Sequence, residues 1–242
     1  MAHFDDAKAL VDHAKNSFPT LEQDYRSSLH GKTVEPALLI DIKNAMENLR
    51  SALDFSAHGL FAKHGASPRP DPKIYFPYAP LAQTQAQFQA AKRIESCIPG
   101  LAAARPDIVA RLESYQHYSG PANKWLPLFM DLNNENKHNK LTPQTRNEAR
   151  QLRIESRGAV IELGPGASIS LGSGASIQIG DATIQGGQEL SGERPAMMHG
   201  LGTQTVIVWV SFTFDSNGEV VLPFIKNAIS QVERIVNELA AL

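Results

Sequence analysis

The sequence predicts an α+β protein: a helical bundle, a small antiparallel β-sheet region inserted into it, and a C-terminal helix that returns to the bundle. Three observations carry this prediction. Apolar residues recur at three- and four-residue spacing through most of residues 1–140 and again over 221–242, the signature of helices buried along one face. Composition changes sharply in between, where residues 158–202 hold 11 of the 17 glycines. Within that stretch an eight-residue unit repeats and alternates apolar with polar residues, the period-two pattern of a half-buried strand. The expected organisation is a helical bundle over 1–145, a glycine-rich β region over 146–216, and a helix over 217–242 packing on the bundle.

The first helix is expected from Phe4 to about Leu29, with Phe4, Ala7, Leu10, Val11, Ala14 and Phe18 on one stripe and Pro19 set to break or kink it. A stronger helix follows, with Thr33 as N-cap and Pro36 in its first turn. Ile42, Ala45, Met46, Leu49, Leu53, Ser56 and Leu60 carry its apolar stripe to about Lys63. Its opposite edge is polar and also periodic, because Asn44, Glu47, Asn48, Ser51, Asp54 and His58 fall three or four apart. The proline-studded stretch GASPRPDPKIYFPYAP has no periodicity and reads as an extended connector. Helices are then expected over Gln83–Ser96, Pro106–Tyr115 and Asn123 to about Lys137.

The repeat runs GAVIELGP, GASISLGS, GASIQIGD and ATIQGG, with Gly158, Gly166 and Gly174 in register and Ile161, Ile169 and Ile177 likewise. The glycines supply the backbone angles of tight turns. An octad suits either a meander of short antiparallel strands or a small stack of coils, and the meander is preferred. Strands this short cannot form a stable sheet by themselves, so the sheet is expected to pack on the helices or to pair with another copy of itself. Thr203–Phe214 is a long β-branched and aromatic strand, Asp215–Gly218 a turn, and Val221–Leu242 a helix with a wide apolar face.

Net charge is −2, divided as +2 over residues 1–150 and −4 over 151–242, which does not advertise a nucleic-acid or membrane-surface protein. Cys97 is the only cysteine, so no intrachain disulfide forms, and it is expected as a small buried residue. The N-terminus lacks the basic-then-apolar pattern of a signal peptide, and no apolar run reaches the length of a membrane span. A cytoplasmic protein that does not engage membranes is expected.

Phosphate-loop, zinc-protease, esterase-elbow and CxxC signatures are missing, and the GPG, GSG and GLG triplets lack the strand-to-helix setting of a dinucleotide site. No histidine set has metal-ligand spacing, so neither metal nor cofactor is expected. Two polar stripes remain. Asp131, Asn134, Glu135 and His138 lie within two turns of one helix face, with Lys137 a turn from Asn133 and Asn134. Imidazole exchanges protons near neutral pH, while amide and ammonium groups hold phosphate oxygens or developing negative charge. The edge of the second helix, with Asn48, Arg50, Ser51 and Asp54, would complete a binding site if the two helices face one another. Set against this, a solvated helix end is a common fate for Asn, Lys and His, and a polar stripe also serves to fix how helices pack.

The combination of ENLRSALDF on the long helix, FPY in the connector, ARLESYQHY, and a helix closing on LNNENKH resembles the HEPN-like helical domains over roughly residues 35–141 and the final helix. The resemblance implies a four- to five-helix bundle, commonly dimeric. Many such domains are metal-independent ribonucleases of toxin or antiviral systems, whereas others bind nucleotides or protein partners. The family's catalytic motif is an Arg followed after four to six residues by a His. Carried over, the His is His138, and the positions open to the Arg are Asp131, Leu132 and Asn133, none of them arginine. Asn133 as a polar group and Lys137 as a charge stand in for it, without the planar fork of a guanidinium. The expected function is a non-catalytic binding and assembly protein that self-associates as a homodimer or higher oligomer and takes a nucleotide, RNA or a protein partner. The alternative is a metal-independent endoribonuclease with His138 as general acid or base and Lys137 and Asn133 stabilising the transition state.

Overall fold

The computed structural model describes residues 2–28, 36–138, 144–164, 166–194 and 196–242; the side chains of residues 136–138, 146 and 207–210 lie outside the described ones. The protein is α+β with small antiparallel sheets. It divides into two units, a helical one formed by Met1–Thr145 with Thr213–Leu242, and a β unit formed by Arg146–Phe212.

In the helical unit, α1 (Ala2–Ser28) and α2 (Pro36–His64) form the main pair. They run antiparallel: Phe4 near the start of α1 lies against Gly59 near the end of α2, while Leu21 shares a cleft with Ala45. Gly59 is needed there, because a Cβ would come within 2.5 Å of the Phe4 ring. The stripe expected on α2 is buried throughout, from Ile42 to Leu60. Pro19 does not end α1, which continues nine residues further to Ser28; it sits on the exposed side, where the lost N–H costs least. Pro36 opens α2 as the first helical residue, and the expected cap at Thr33 falls outside the described residues.

The helix expected over Gln83–Ser96 is two short ones, α3 (Gln85–Ala90) and α4 (Arg93–Cys97). Thr84 and Gln87 close a reciprocal capping box on α3, and Lys92, at φ +46°, breaks the run in a left-handed conformation. The short α5 (Leu101–Ala104) was not expected; Glu95 accepts the N–H groups of Gly100 (2.7 Å) and Ala102 (3.3 Å) at its start. Next come α6 (Pro106–Ser114), two 3₁₀ turns, and α7 (Trp125–His138). The closing helix α8 (Val221–Ala240) buries Phe224, Ile225, Ala228, Ile229, Val232, Ile235, Val236 and Leu239 and packs on α1, α2 and α7. Both chain ends therefore share one core.

The β unit has its own small core of Leu152, Ile154, Leu163, Ile179, Ile184, Leu190 and Ala196. Its strands are β1 (Gln144–Ser156), β2 (Ala159–Leu163), β3 (Ser168–Ser170), β4 (Ser176–Ile179), β5 (Ala182–Gln185), β6 (Glu189–Ser191), β7 (Met198–Gly200) and β8 (Thr203–Phe214). They form three sheets in the orders β2-β1-β8, β3-β6 and β4-β5-β7. The preferred meander holds only locally. β1–β2 and β4–β5 are two-residue hairpins, but β3 skips its neighbours and pairs antiparallel with β6, matching Ile169 to Leu190. Pairing across the gap buries Leu190 against the repeat's isoleucines, which the octad cannot do by pairing with itself alone. Ile161, Ile169 and Ile177 all pack on the common core, as their register requires.

Ser156 ties this unit together. It is 3% exposed, donates its hydroxyl to the carbonyl of Leu201, and accepts the N–H of Asp181 at 3.0 Å. Among the described residues the segment before β7 has no strand partner, and glutamine side chains take that place. Gln204 exchanges two hydrogen bonds with the backbone of Ala196 (2.9 and 2.7 Å), and Gln188 does the same with Met197 (2.7 and 3.3 Å).

Candidate functional site

The polar edge of α2 meets the connector and α7 at one cluster. Arg50 and Asp54 are one helical turn apart, so they share a face, with Nε of Arg50 3.4 Å from Oδ2 of Asp54. Oδ1 of Asp54 accepts the backbone N–H of Phe76 at 2.8 Å. Arg50 also donates Nη1 to Oδ1 of Asn134 on α7 at 3.5 Å, the outer limit for a hydrogen bond, and Asn134 donates its amide to the Tyr78 hydroxyl at 3.2 Å. The guanidinium lies 6.0 Å from the centre of the Tyr78 ring. Three of the expected binding residues, Arg50, Asp54 and Asn134, are thus gathered around Tyr78.

Others are not. Asn48 lines a separate polar cleft between α1 and α2, shared with His13, Asp24, Asp41 and Asn44. Ser51 is half-buried on α2. Asp131 lies on the exposed side of α7, where partial burial pushes its carboxyl above the ordinary range. The role expected of Asn133 needs correction. It is fully buried and donates its amide to the carbonyl of Phe129 at 2.9 Å, while its Oδ1 has no hydrogen-bond partner among the described residues. One residue of helix, a rotation of about 100°, separates it from Asn134 and turns it into the core, out of reach of a substrate. The side chains of Lys137 and His138 lie outside the described residues.

Two contributors are not among the candidate residues. Tyr78 is the tyrosine of the FPY motif. Gln116 is fully buried and clamps the same connector from the other side, accepting the N–H of Ala79 at 2.9 Å and donating to the carbonyls of Pro77 (3.1 Å) and Leu112 (2.9 Å). The available signal is the connector itself: an irregular buried backbone must find side-chain partners, and Gln116, in the turn that follows α6, supplies them.

Chemically the cluster is a tie. Both oxygens of Asp54 are engaged, Arg50 is paired through two nitrogens, and the amide of Asn134 is used at both ends. Such a network holds α2, the connector and α7 in one arrangement and occupies both oxygens of the Asp54 carboxylate. Among the described residues no group of three or more His, Cys, Asp or Glu could hold a metal ion, and no helix is long and apolar enough to cross a membrane. No protein-family model matches the chain, and no curated protein or solved structure matches it.

Proposed function

We propose that this protein is a non-catalytic binding and assembly protein, in which a HEPN-like helical unit is the scaffold and the β unit carries the surface for self-association. The observation behind this reading lies at β7. Met197 and Leu201, each 77% exposed, flank this strand, which closes one side of the sheet β4-β5-β7. An edge strand offers unpaired backbone groups, and large apolar side chains beside it are what a second strand would cover. The engaged state of Arg50, Asp54 and Asn134 supports the non-catalytic half of the reading.

Light scattering on the purified protein tests it. A mass at least twice the 26.4 kDa of the chain is expected, falling to 26.4 kDa in a Met197→Glu/Leu201→Lys double variant whose circular dichroism is unchanged. A monomeric wild type, or a double variant that keeps the larger mass, overturns it.

One observation favours a second reading, that of a metal-independent endoribonuclease. The guanidinium that α7 lacks is brought to it from α2: Arg50 reaches Asn134, which stands one helical turn before His138 in the sequence. In this reading His138 is the general acid or base and Arg50 stabilises the phosphorane. RNA should then be cut in the presence of EDTA, with activity lost in His138→Ala and reduced about a hundredfold or more in Arg50→Ala. Intact RNA at high protein concentration rules this reading out and leaves the first one standing.

A further inference from the structure

The helical unit contains a second feature, unrelated to the Arg50 cluster. A cavity of about 500 Å³ opens among α3, α4, α5 and α6. Its volume is in the range of small-molecule sites, roughly 300–1,000 Å³. Phe88, Ile94 and Val109 give it an apolar wall, and Lys92 and Arg93 line it beside two carboxylates, Glu95 and Glu113.

The four charges are not equivalent. Both oxygens of Glu113 accept from the Gln89 amide at 3.0 Å, and the two oxygens of Glu95 accept the N–H groups of Gly100 and Ala102. The carboxylates are therefore part of the wall, one bracing α3 against α6 and the other opening α5. Lys92 and Arg93 show no ion pair or side-chain hydrogen bond among the described residues. Lys92 also adopts a left-handed backbone, one of only two non-glycine residues at positive φ among those described. Such a conformation is unfavourable for a residue that carries a Cβ. It breaks a helix that Gln85–Cys97 would otherwise continue, and it puts two adjacent cations at the break. An apolar wall with two uncommitted cations beside it is complementary to a molecule that has an apolar body and an anionic head.

We propose that this cavity binds a small amphipathic carboxylate, with its hydrocarbon against Phe88, Ile94 and Val109 and its carboxylate between Lys92 and Arg93. The site is independent of the assembly surface at β7 and of any chemistry at α7.

Decanoate is a suitable probe, titrated into the full-length protein by calorimetry beside decylamine and 1-decanol, which share the chain but differ in the head. Saturable one-to-one binding of decanoate is expected, with decanol about tenfold weaker and decylamine weaker still. A Lys92→Gln/Arg93→Gln variant should lose about tenfold or more in decanoate affinity while decanol binding stays unchanged. Val109→Trp, which fills the cavity from α6, should abolish binding of both, with unchanged circular dichroism and oligomeric mass as the check that the fold survives. Absence of decanoate binding overturns the proposal. So does equal binding of decanoate and decylamine, or full decanoate affinity in the double-glutamine variant.

Discussion

Gly158, Gly166 and Gly174 stand at φ +78°, +76° and +91°, and a Cβ on any of them would meet nothing within 4 Å. Backbone conformation, not space, is what glycine provides at these turns, so the octad period is a period of left-handed residues. Gly174→Ala should therefore destabilise the β unit by about 1–2 kcal/mol, read as a lower denaturation midpoint with unchanged native spectra. Gly180 differs, since its Cβ would press on the carbonyl of Ser156 in addition to the φ of +52°, and Gly180→Ala should be clearly worse than Gly174→Ala. Equal effects at the two positions would show that the close approach to β1 carries no energy. Ser156 itself serves a carbonyl and an N–H from two other segments, and Ser156→Ala strands both, at a cost of about 1–3 kcal/mol.

Polar side chains decide how the helical unit's connector lies. Residues Ile74–Ala79 run without regular structure between α2 and α3, with Ile74, Phe76 and Ala79 buried. Their backbone groups are met by Asp54 on one side and Gln116 on the other. Gln116→Ala leaves buried donors and acceptors without partners and should cost about 2–3 kcal/mol, lowering the thermal midpoint of the helical unit by roughly 5–10 °C. Asp54→Ala, which abandons the Phe76 N–H, should cost more than Arg50→Ala, which abandons only long contacts. A reversed order would mean that the ion pair matters more than the connector.

The contact of α6 with α8 is pH-dependent. Burial pushes the Glu238 carboxyl up, but the hydrogen bonds from Tyr115 (2.7 Å) and Arg234 (3.1 Å), with Arg111 nearby, outweigh it and hold the carboxyl below its ordinary value. A depressed folded-state pKa contributes stability above the ordinary value near 4.5, and that contribution is lost as pH falls through the lower, folded one. The acid limb of the stability curve should flatten in Glu238→Gln, and an identical limb in the variant would remove Glu238 from the explanation.

At the scale of the whole molecule, two units with separate cores carry one tryptophan each, Trp125 in the helices and Trp209 in the β unit. This allows their unfolding to be followed separately. In a Trp209→Phe background, fluorescence reports Trp125 alone, and adding Gly174→Ala should leave that transition where it was. A shift of the Trp125 transition by the full cost of Gly174→Ala would mean that the chain unfolds as one cooperative body.

The sequence by itself determined whatever depends on neighbours in the chain. The apolar stripes of α1, α2 and α8, the strand Thr203–Phe214, the turn glycines and the inward isoleucines of the octad are all set by local periodicity and backbone sterics. Strand β1 is not legible because Glu148 and Arg150 stand at the same alternating positions as Leu152 and Ile154, so the face those two bury begins charged, and the break at Lys92 is not legible because nothing in Gln-Ala-Ala-Lys forbids a continuous helix. Only the tertiary structure decided which polar residues meet. Asn133 and Asn134 are adjacent and chemically identical, yet one is sealed in the core and the other joins Arg50 and Tyr78. That choice rests on the rotation of α7 against α2 and on where the connector crosses them. Both are fixed by packing between residues distant in sequence, for which the chain carries no local signal.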